Sequence, residues 1–242
     1  MLVIGPDPVV SGCKIWLDSS EYAGSGTTWT DISGNGNNAI FNYGAVPSHT
    51  TGTSGFFTFA GANNERAILD NFDTDIIGSG SRVDAAAIEC WVQGNSVDNA
   101  MLWDAGNGST RDRWGMRYSW VGNDDWNNFL SGFNGTNLIS NNDVADTNWH
   151  QIVSQVDLNI LPGTSNRREF YVDGQLNASI AASSYTNGSW NAANISQFVI
   201  GAQAIGGSPF NGKVAIWRMY NRGLTASEVL KNFNSAKKRF GI

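Results

Sequence analysis

Proline is scarce in this chain, with 5 residues in 242, and cysteine and histidine are scarcer, with 2 of each. Two cysteines, Cys13 and Cys90, cannot build the disulfide framework of a small secreted scaffold. Each sits in an apolar strand-like context (Gly12-Cys13-Lys14-Ile15-Trp16 and Ile88-Glu89-Cys90-Trp91-Val92), which predicts buried free thiols. There is no Cys/His cluster at metal-binding spacing. Nor is there a Ser-His-Asp arrangement, because His49 falls in a turn-like stretch and His150 inside a strand pattern that predicts a hydrogen-bonded strand residue. Basic residues number 15 against 21 acidic ones, a formal charge of −6. The basic footprint of a nucleic-acid partner is therefore missing. The one basic cluster, Lys231, Lys237, Lys238 and Arg239, closes a predicted helix, where cations complement the C-terminal dipole. No stretch approaches the ~20 apolar residues that cross a bilayer, so membrane insertion is not expected. Met1 to Asp7 is too short an apolar run for a signal peptide and has no basic flank, which predicts synthesis and folding in a cytoplasm.

Closely spaced carboxylates are also lacking. Glu21, Glu65, Glu89, Glu169 and Glu228 are the only glutamates, and none lies two or four residues from another carboxylate in a strand pattern. Asp124 and Asp125 are adjacent, so on a strand they would face opposite ways. A retaining glycosidase needs two carboxyls about 5 Å apart. The expectation is a protein that is not an enzyme.

What is present points to β structure. The chain is 41% hydrophobic and 12% aromatic, enough for a sizeable core, and it carries 28 glycines. Along Trp149 to Val156, Ile152, Ser154 and Val156 point one way and Gln151, Val153 and Gln155 the other, the period of a strand with unequal faces. Glu169-Phe170-Tyr171-Val172 is a second strand, ended by Asp173-Gly174, whose pairing favours the positive φ that a type I′ hairpin turn requires. Further strands are read at Lys14–Asp18, Phe56–Phe59, Ala86–Val92, Gln197–Gly201 and Lys213–Tyr220, with a turn-rich loop from Asp31 to Asn38. Helical signals gather at the C-terminus, about residues 226–238. There Thr225 and Glu228 form a capping box, Leu224 and Val229 a hydrophobic staple, and Val229, Leu230, Phe233 and Ala236 an apolar stripe that docks on the sheets. No repeat, linker or charge block marks a boundary, so residues 1–242 read as one domain.

Three stretches carry a resemblance. Asn148-Trp149-His150-Gln151-Ile152-Val153 followed by Phe170-Tyr171-Val172-Asp173-Gly174 resembles the core of laminin-G-like domains of the concanavalin A-like lectin/glucanase superfamily. Thr28 to Asn38 resembles that family's N-terminal Trp-x-Asp run, and Phe210 to Thr225 resembles its closing motif. The resemblance implies an all-β fold, a jelly-roll β-sandwich of two antiparallel sheets with a short C-terminal helix. It says little of activity, since this fold hosts lectins, glycosidases and structural modules. Calcium is implied as a possibility: relatives bind it through the turn that corresponds to Asn63, Asn64 and Glu65 together with an acidic residue near the closing motif. Here that last position is Ala215, so no cofactor is expected, with calcium the one alternative.

The tryptophan-rich segment is the expected ligand surface. Flat indoles stack on sugar rings while Asp and Asn bond the hydroxyls, and Trp103, Asp104, Trp114, Trp120, Asp124, Asp125 and Trp126 supply that mix. The competing expectation for the same indoles is a place in the core. The short helix and basic tail resemble the ends of virion-associated relatives. With no export signal, this implies a phage capsid decoration or fibre component. Its partners would be other virion proteins or copies of itself, and it would bind cell-surface polysaccharide weakly at most. The alternatives are a free carbohydrate-binding lectin module and, behind it, a glycosidase.

Overall fold

The computed structural model describes residues 6–41, 44–62, 64–69, 85–94, 100–106, 113–118, 126–131, 137–140, 146–157, 167–181, 197–204 and 206–242. The first strand, β1 (Cys13–Asp18), buries Ile15 and Leu17 and turns Trp16 to the other face. The loop after it explains the N-terminal motif. Asp31 accepts backbone N–H bonds from Trp16, Ser33 and Asn37, each at 2.9 Å. Ser33, Asn35 and Asn37 donate side-chain bonds to the Lys14 carbonyl. The polar residues of this run thus tie the loop to β1.

Two antiparallel eight-stranded sheets follow. The first runs β14 (Gln175–Ala181), β13 (Arg167–Val172), β12 (Trp149–Asp157), β7 (Ala85–Gly94), β16 (Asn211–Tyr220), β5 (Phe56–Ala60) and β4 (Ser48–Thr50). Beside β16, β5 pairs with its first half and β1 with its second, so the two ends of the described chain close one sheet. The second sheet runs β11 (Asn137–Ile139), β10 (Trp126–Ser131), β9 (Arg113–Tyr118), β8 (Ala100–Gly106), β15 (Gln197–Ile200), β6 (Ala67–Leu69), β3 (Ala39–Ile40) and β2 (Thr28–Trp29). The β13–β14 hairpin turns on Asp173 and Gly174, both at positive φ (50° and 79°), as the Asp-Gly pair requires.

The inner faces enclose the core. Trp29, Phe41, Phe57, Phe59, Trp103, Trp114 and Trp217 pack there with Ile88, Cys90 and Ile152. Burying side chains of this size stabilises by roughly 2–3 kcal/mol each before entropy is charged against it. Ser154 is a polar residue on this face, and its hydroxyl accepts the Trp114 indole N–H from the opposite sheet at 3.2 Å. Cys90 is buried in this core and Cys13 packs on the outer face of the first sheet; both are free, and burial pushes the Cys13 thiol up to about 12.

Helix α1 (Ala226–Ala236) lies on that outer face. The capping box is complete: Glu228 N–H bonds Thr225 Oγ1, and the Glu228 carboxylate accepts the Thr225 N–H. Val229, Asn232, Phe233 and Ala236 face the sheet, while Leu230 is exposed. The expected stripe is corrected at that one position. At 3.6 residues per turn, 232 follows 229 on the same face and 230 swings about 100° away. The basic residues do not close α1 either. Lys237, Lys238 and Arg239 occupy a following 3-10 turn, Lys237–Phe240, where Arg239 grips Asp18 (2.8 and 2.9 Å) and the Gly55 carbonyl (2.7 Å).

Candidate functional site

Strands β5, β16, β7 and β12 run side by side, and their outward side chains form rows across the sheet. One row is Thr58, Lys213, Gln93 and Trp149, each the cross-strand partner of the next. The 3-10 extension meets this row at Trp149, through Phe240. Along the rest of the row a cleft of about 300 Å³ opens, lined by Thr58, Gln93, Gly94, Thr147, Asn211, Gly212 and Lys213. Gly212 belongs to its floor for a spatial reason: a Cβ there would meet the Gln93 carbonyl oxygen at 2.4 Å. Gln93 Nε2 bonds the Thr147 carbonyl at 2.6 Å, which fixes the amide and holds the loop before β12 at the cleft edge.

Half-buried aromatics flank the cleft. The Phe56 and Trp149 rings lie 5.7 Å apart, and Lys213 Nζ sits 4.9 Å from the Phe56 ring centroid. Phe240 backs Trp149 at 4.7 Å and stacks on Trp91 at 4.4 Å. The cleft therefore offers hydroxyl, amide and ammonium groups beside flat apolar surface, and among the described residues no carboxylate lines it.

The same face beneath α1 is closed. Glu89 is fully buried; its carboxylate accepts bonds from Gln151 (3.0 Å), Arg218 (2.9 Å) and Asn232 (2.7 Å). Burial alone would pull Arg218 down, but the Glu89 carboxylate outweighs it and keeps the guanidinium charged. Gln155 bonds Glu169 and both backbone groups of Leu224. These groups anchor the helix, and all but the half-buried Glu169 are closed to solvent.

At the rim, His150 bridges two carboxylates, Asp173 at 2.8 Å and Asp146 at 3.0 Å. Burial lowers its pKa, and the bonds and charges of Asp173 and Asp146 more than offset this, so the net shift is upward. Both ring nitrogens are engaged, which makes His150 a brace between the hairpin turn and the loop before β12.

The residues expected at a ligand surface end up elsewhere. Trp103 and Trp114 have no exposed area and fill the core. An indole with neither face open cannot stack on a sugar, so for these two the core expectation replaces the ligand one. Asp104 is also buried, and its carboxylate accepts the Ala204 N–H at 2.8 Å. Trp120, Asp124 and Asp125 lie outside the described residues, as does the side chain of Trp126, whose backbone opens β10. Of the calcium candidates, Asn63 lies outside the description and Asn64 is exposed. Glu65 accepts the Ala60 N–H, and Ala215 is buried with its carbonyl bonded to Ser19. These donors do not by themselves make a six- to eight-oxygen shell. Among the described residues no group of three or more His, Cys, Asp or Glu could hold a metal ion, and no helix is long and apolar enough to cross a membrane.

Residues 74–230 match a family model described as the concanavalin A-like lectin/glucanases superfamily. The chain belongs to that superfamily. Solved structures agree on the fold. The binding domain of Paraclostridial Mosquitocidal Protein 1 superposes with a TM-score of 0.68 at 14% identity, over 93% of this chain and 52% of that one. The binding domain of botulinum neurotoxin serotype C1 gives 0.66 at 12%, again over 93% and 52%. Trypanosoma rangeli sialidase gives 0.61 at 18%, over 98% of this chain and 36% of its own. The chain thus spans about half the length of the two binding domains and about a third of the sialidase. A search of curated proteins finds no match.

The cleft residues went unseen in the sequence because they come from three strands and the loop before β12. Alternation does place Thr58, Gln93 and Lys213 on the face opposite Phe57, Val92 and Val214. Nothing in a one-dimensional pattern says that these three become neighbours.

Proposed function

We propose that this domain recognises saccharides without cleaving them, through the cleft framed by Phe56, Thr58, Gln93, Trp149, Asn211 and Lys213. The observation that carries the reading is the in-register row Thr58–Lys213–Gln93–Trp149, whose first three residues line an open cleft. Rigid polar groups at strand spacing beside flat rings suit a sugar, whose hydroxyls need donors and acceptors while its C–H face needs an aromatic. The lectin-like fold and the two toxin binding domains among the structural neighbours support binding as the task. The glycosidase alternative needs a carboxylate pair across the bond to be cut, and among the described residues no carboxylate lines this cleft.

The setting belongs to the same proposal. As a capsid decoration or fibre component of a phage-type particle, the domain would work by many weak contacts multiplied by copy number. Its partners are then virion proteins, copies of itself and cell-surface polysaccharide, and no calcium is used. Absence of the chain from purified particles of its source, by mass spectrometry, would remove the setting and leave the cleft. Loss of glycan binding on chelation would restore calcium.

A glycan array tests the binding itself. Binding by the wild type should fall in Trp149→Ala and in Thr58→Met, which fills the cleft, and persist in Trp120→Ala and Trp126→Ala. The reverse pattern would move the site to the tryptophan-rich segment. Release of reducing sugar from any bound polysaccharide would make the protein an enzyme.

A further inference from the structure

We propose that the saccharide taken by this cleft carries a carboxylate, and that Lys213 is the residue that selects it. This rests on the saccharide-binding reading above and adds the chemical class of the ligand.

The protein as a whole is acidic, at −6, yet among the described residues the cleft is lined by a lysine and by no acid. Ion pairs take up Arg218, Arg222 and Arg239, each with a carboxylate at 2.7–2.9 Å. Lys213 has no carboxylate partner among the described residues. Its ammonium rests instead over Phe56, a contact that an entering anion can supplement without breaking an existing pair. The aromatic strip behind it continues through Trp149, Phe240, Trp91 and Phe233. Lys237 Nζ lies 5.3 Å from the Phe233 ring centroid, so the strip carries a cation at each end. Lys237 and Lys238, like Lys213, have no carboxylate partner among the described residues.

Local and global charge act differently here. Beyond about 8–10 Å, physiological salt screens the net negative charge, so an anion at the cleft responds chiefly to the nearest cation. A carboxylate on Lys213 would gain a charge-assisted hydrogen bond. The Thr58 hydroxyl and the Gln93 amide oxygen line the same cleft for the ring hydroxyls. A neutral sugar would make the same neighbouring contacts and lack the charged one.

The test pairs each ligand with its own control. Oligosaccharides ending in glucuronic acid or N-acetylneuraminic acid are measured by calorimetry and surface binding against their carboxyl-reduced counterparts, with sulfated neutral sugars as a further arm. The full chain is used as wild type, Lys213→Gln and Lys213→Glu, with thermal unfolding as the check on folding. The expected result is about a tenfold preference for the carboxylate form. That preference is lost in Lys213→Gln and reversed in Lys213→Glu, with binding of the reduced sugars unchanged. Equal binding of both forms overturns this inference and leaves the saccharide reading standing. A carboxylate preference that survives Lys213→Gln overturns it too, because the selecting charge then lies elsewhere. Preference for sulfated over carboxylated sugars overturns the ligand class. No binding of any saccharide removes both readings together.

Discussion

The outer face of the first sheet is laid down by the same strands along its length, yet its two ends do opposite things. Under α1, the outward polar groups of β7, β12 and β16 (Glu89, Gln151, Arg218 and Tyr220) are buried and bonded to one another and to the helix. At the other end, outward groups of those strands (Gln93, Trp149 and Lys213) border an open cleft. Polarity alone does not mark a binding surface. What separates the two ends is whether a second element of the chain has already consumed the hydrogen-bonding capacity. A buried charge must be paired internally, while an uncovered one is available to a partner.

Breaking the closed end should have the largest effect. Glu89→Ala leaves Arg218 buried without its counter-ion, and should cost about 3–5 kcal/mol of stability in urea unfolding. A loss below about 1 kcal/mol would show that water reaches Arg218 and that the end is not closed. Next comes the seam between the two ends. Phe240→Ala removes the ring that packs on both Trp91 and Trp149, and should cost about 2–3 kcal/mol while loosening Trp149 and weakening glycan binding. If stability falls and binding does not, the ends are independent.

The helix cap is a smaller lever on the closed end. Arg222, bonded to Glu228 at 2.7 and 2.9 Å, and then the Thr225 groups hold that carboxyl at about 2, below its ordinary 4.5. A depressed carboxylate contributes stability that is present above the unfolded value and lost as pH falls through the folded one. Glu228→Gln should therefore melt below wild type at neutral pH by about 1 kcal/mol, and the gap should close between pH 4.5 and 2. A gap that does not change with pH would place its origin in packing.

His150 should act in the opposite direction. Its pKa is raised above 6.5 by Asp173 and Asp146. Its contribution is fully present below the unfolded value and is lost as pH rises through the folded one. The stability difference between wild type and His150→Asn should thus be larger at pH 6 than at pH 9, and under about 1 kcal/mol because the acids are partly exposed. The smallest effect belongs to the open end itself: Lys213→Gln should leave stability within about 0.5 kcal/mol. A larger loss would mean that Lys213 holds the fold together and is not free for a ligand.

Much of this fold could be read from one-dimensional patterns. The Asp173-Gly174 turn, the two faces of β12 and the Thr225–Glu228 cap are local: each depends on residues within a few positions of one another, so spacing reveals them. The N-terminal Asp31 run and the closing motif were also legible as signatures, and the structure gives them a structural task, in Asp31 organising its loop and Arg222 bonding Glu228. The candidate site was not legible. Tryptophan density drew attention to residues 101–126, but a large indole is as useful for filling the space between two sheets as for touching a sugar, and Trp103 and Trp114 do the former. Leu230 and Asn232 show the same limit on a smaller scale. Hydrophobicity nominated the leucine, whereas the buried Glu89 carboxylate made the asparagine the better neighbour.

The cleft draws its lining from residues as far apart as Thr58 and Lys213, and this has a practical outcome. An unfolded chain scatters those groups, so any compound that occupies the cleft binds the native state alone. By mass action, such a compound present at a hundred times its dissociation constant raises the folding free energy by about 2.7 kcal/mol. A plate-based melting screen of unlabelled oligosaccharides would thus register cognate sugars without an assay of biological activity.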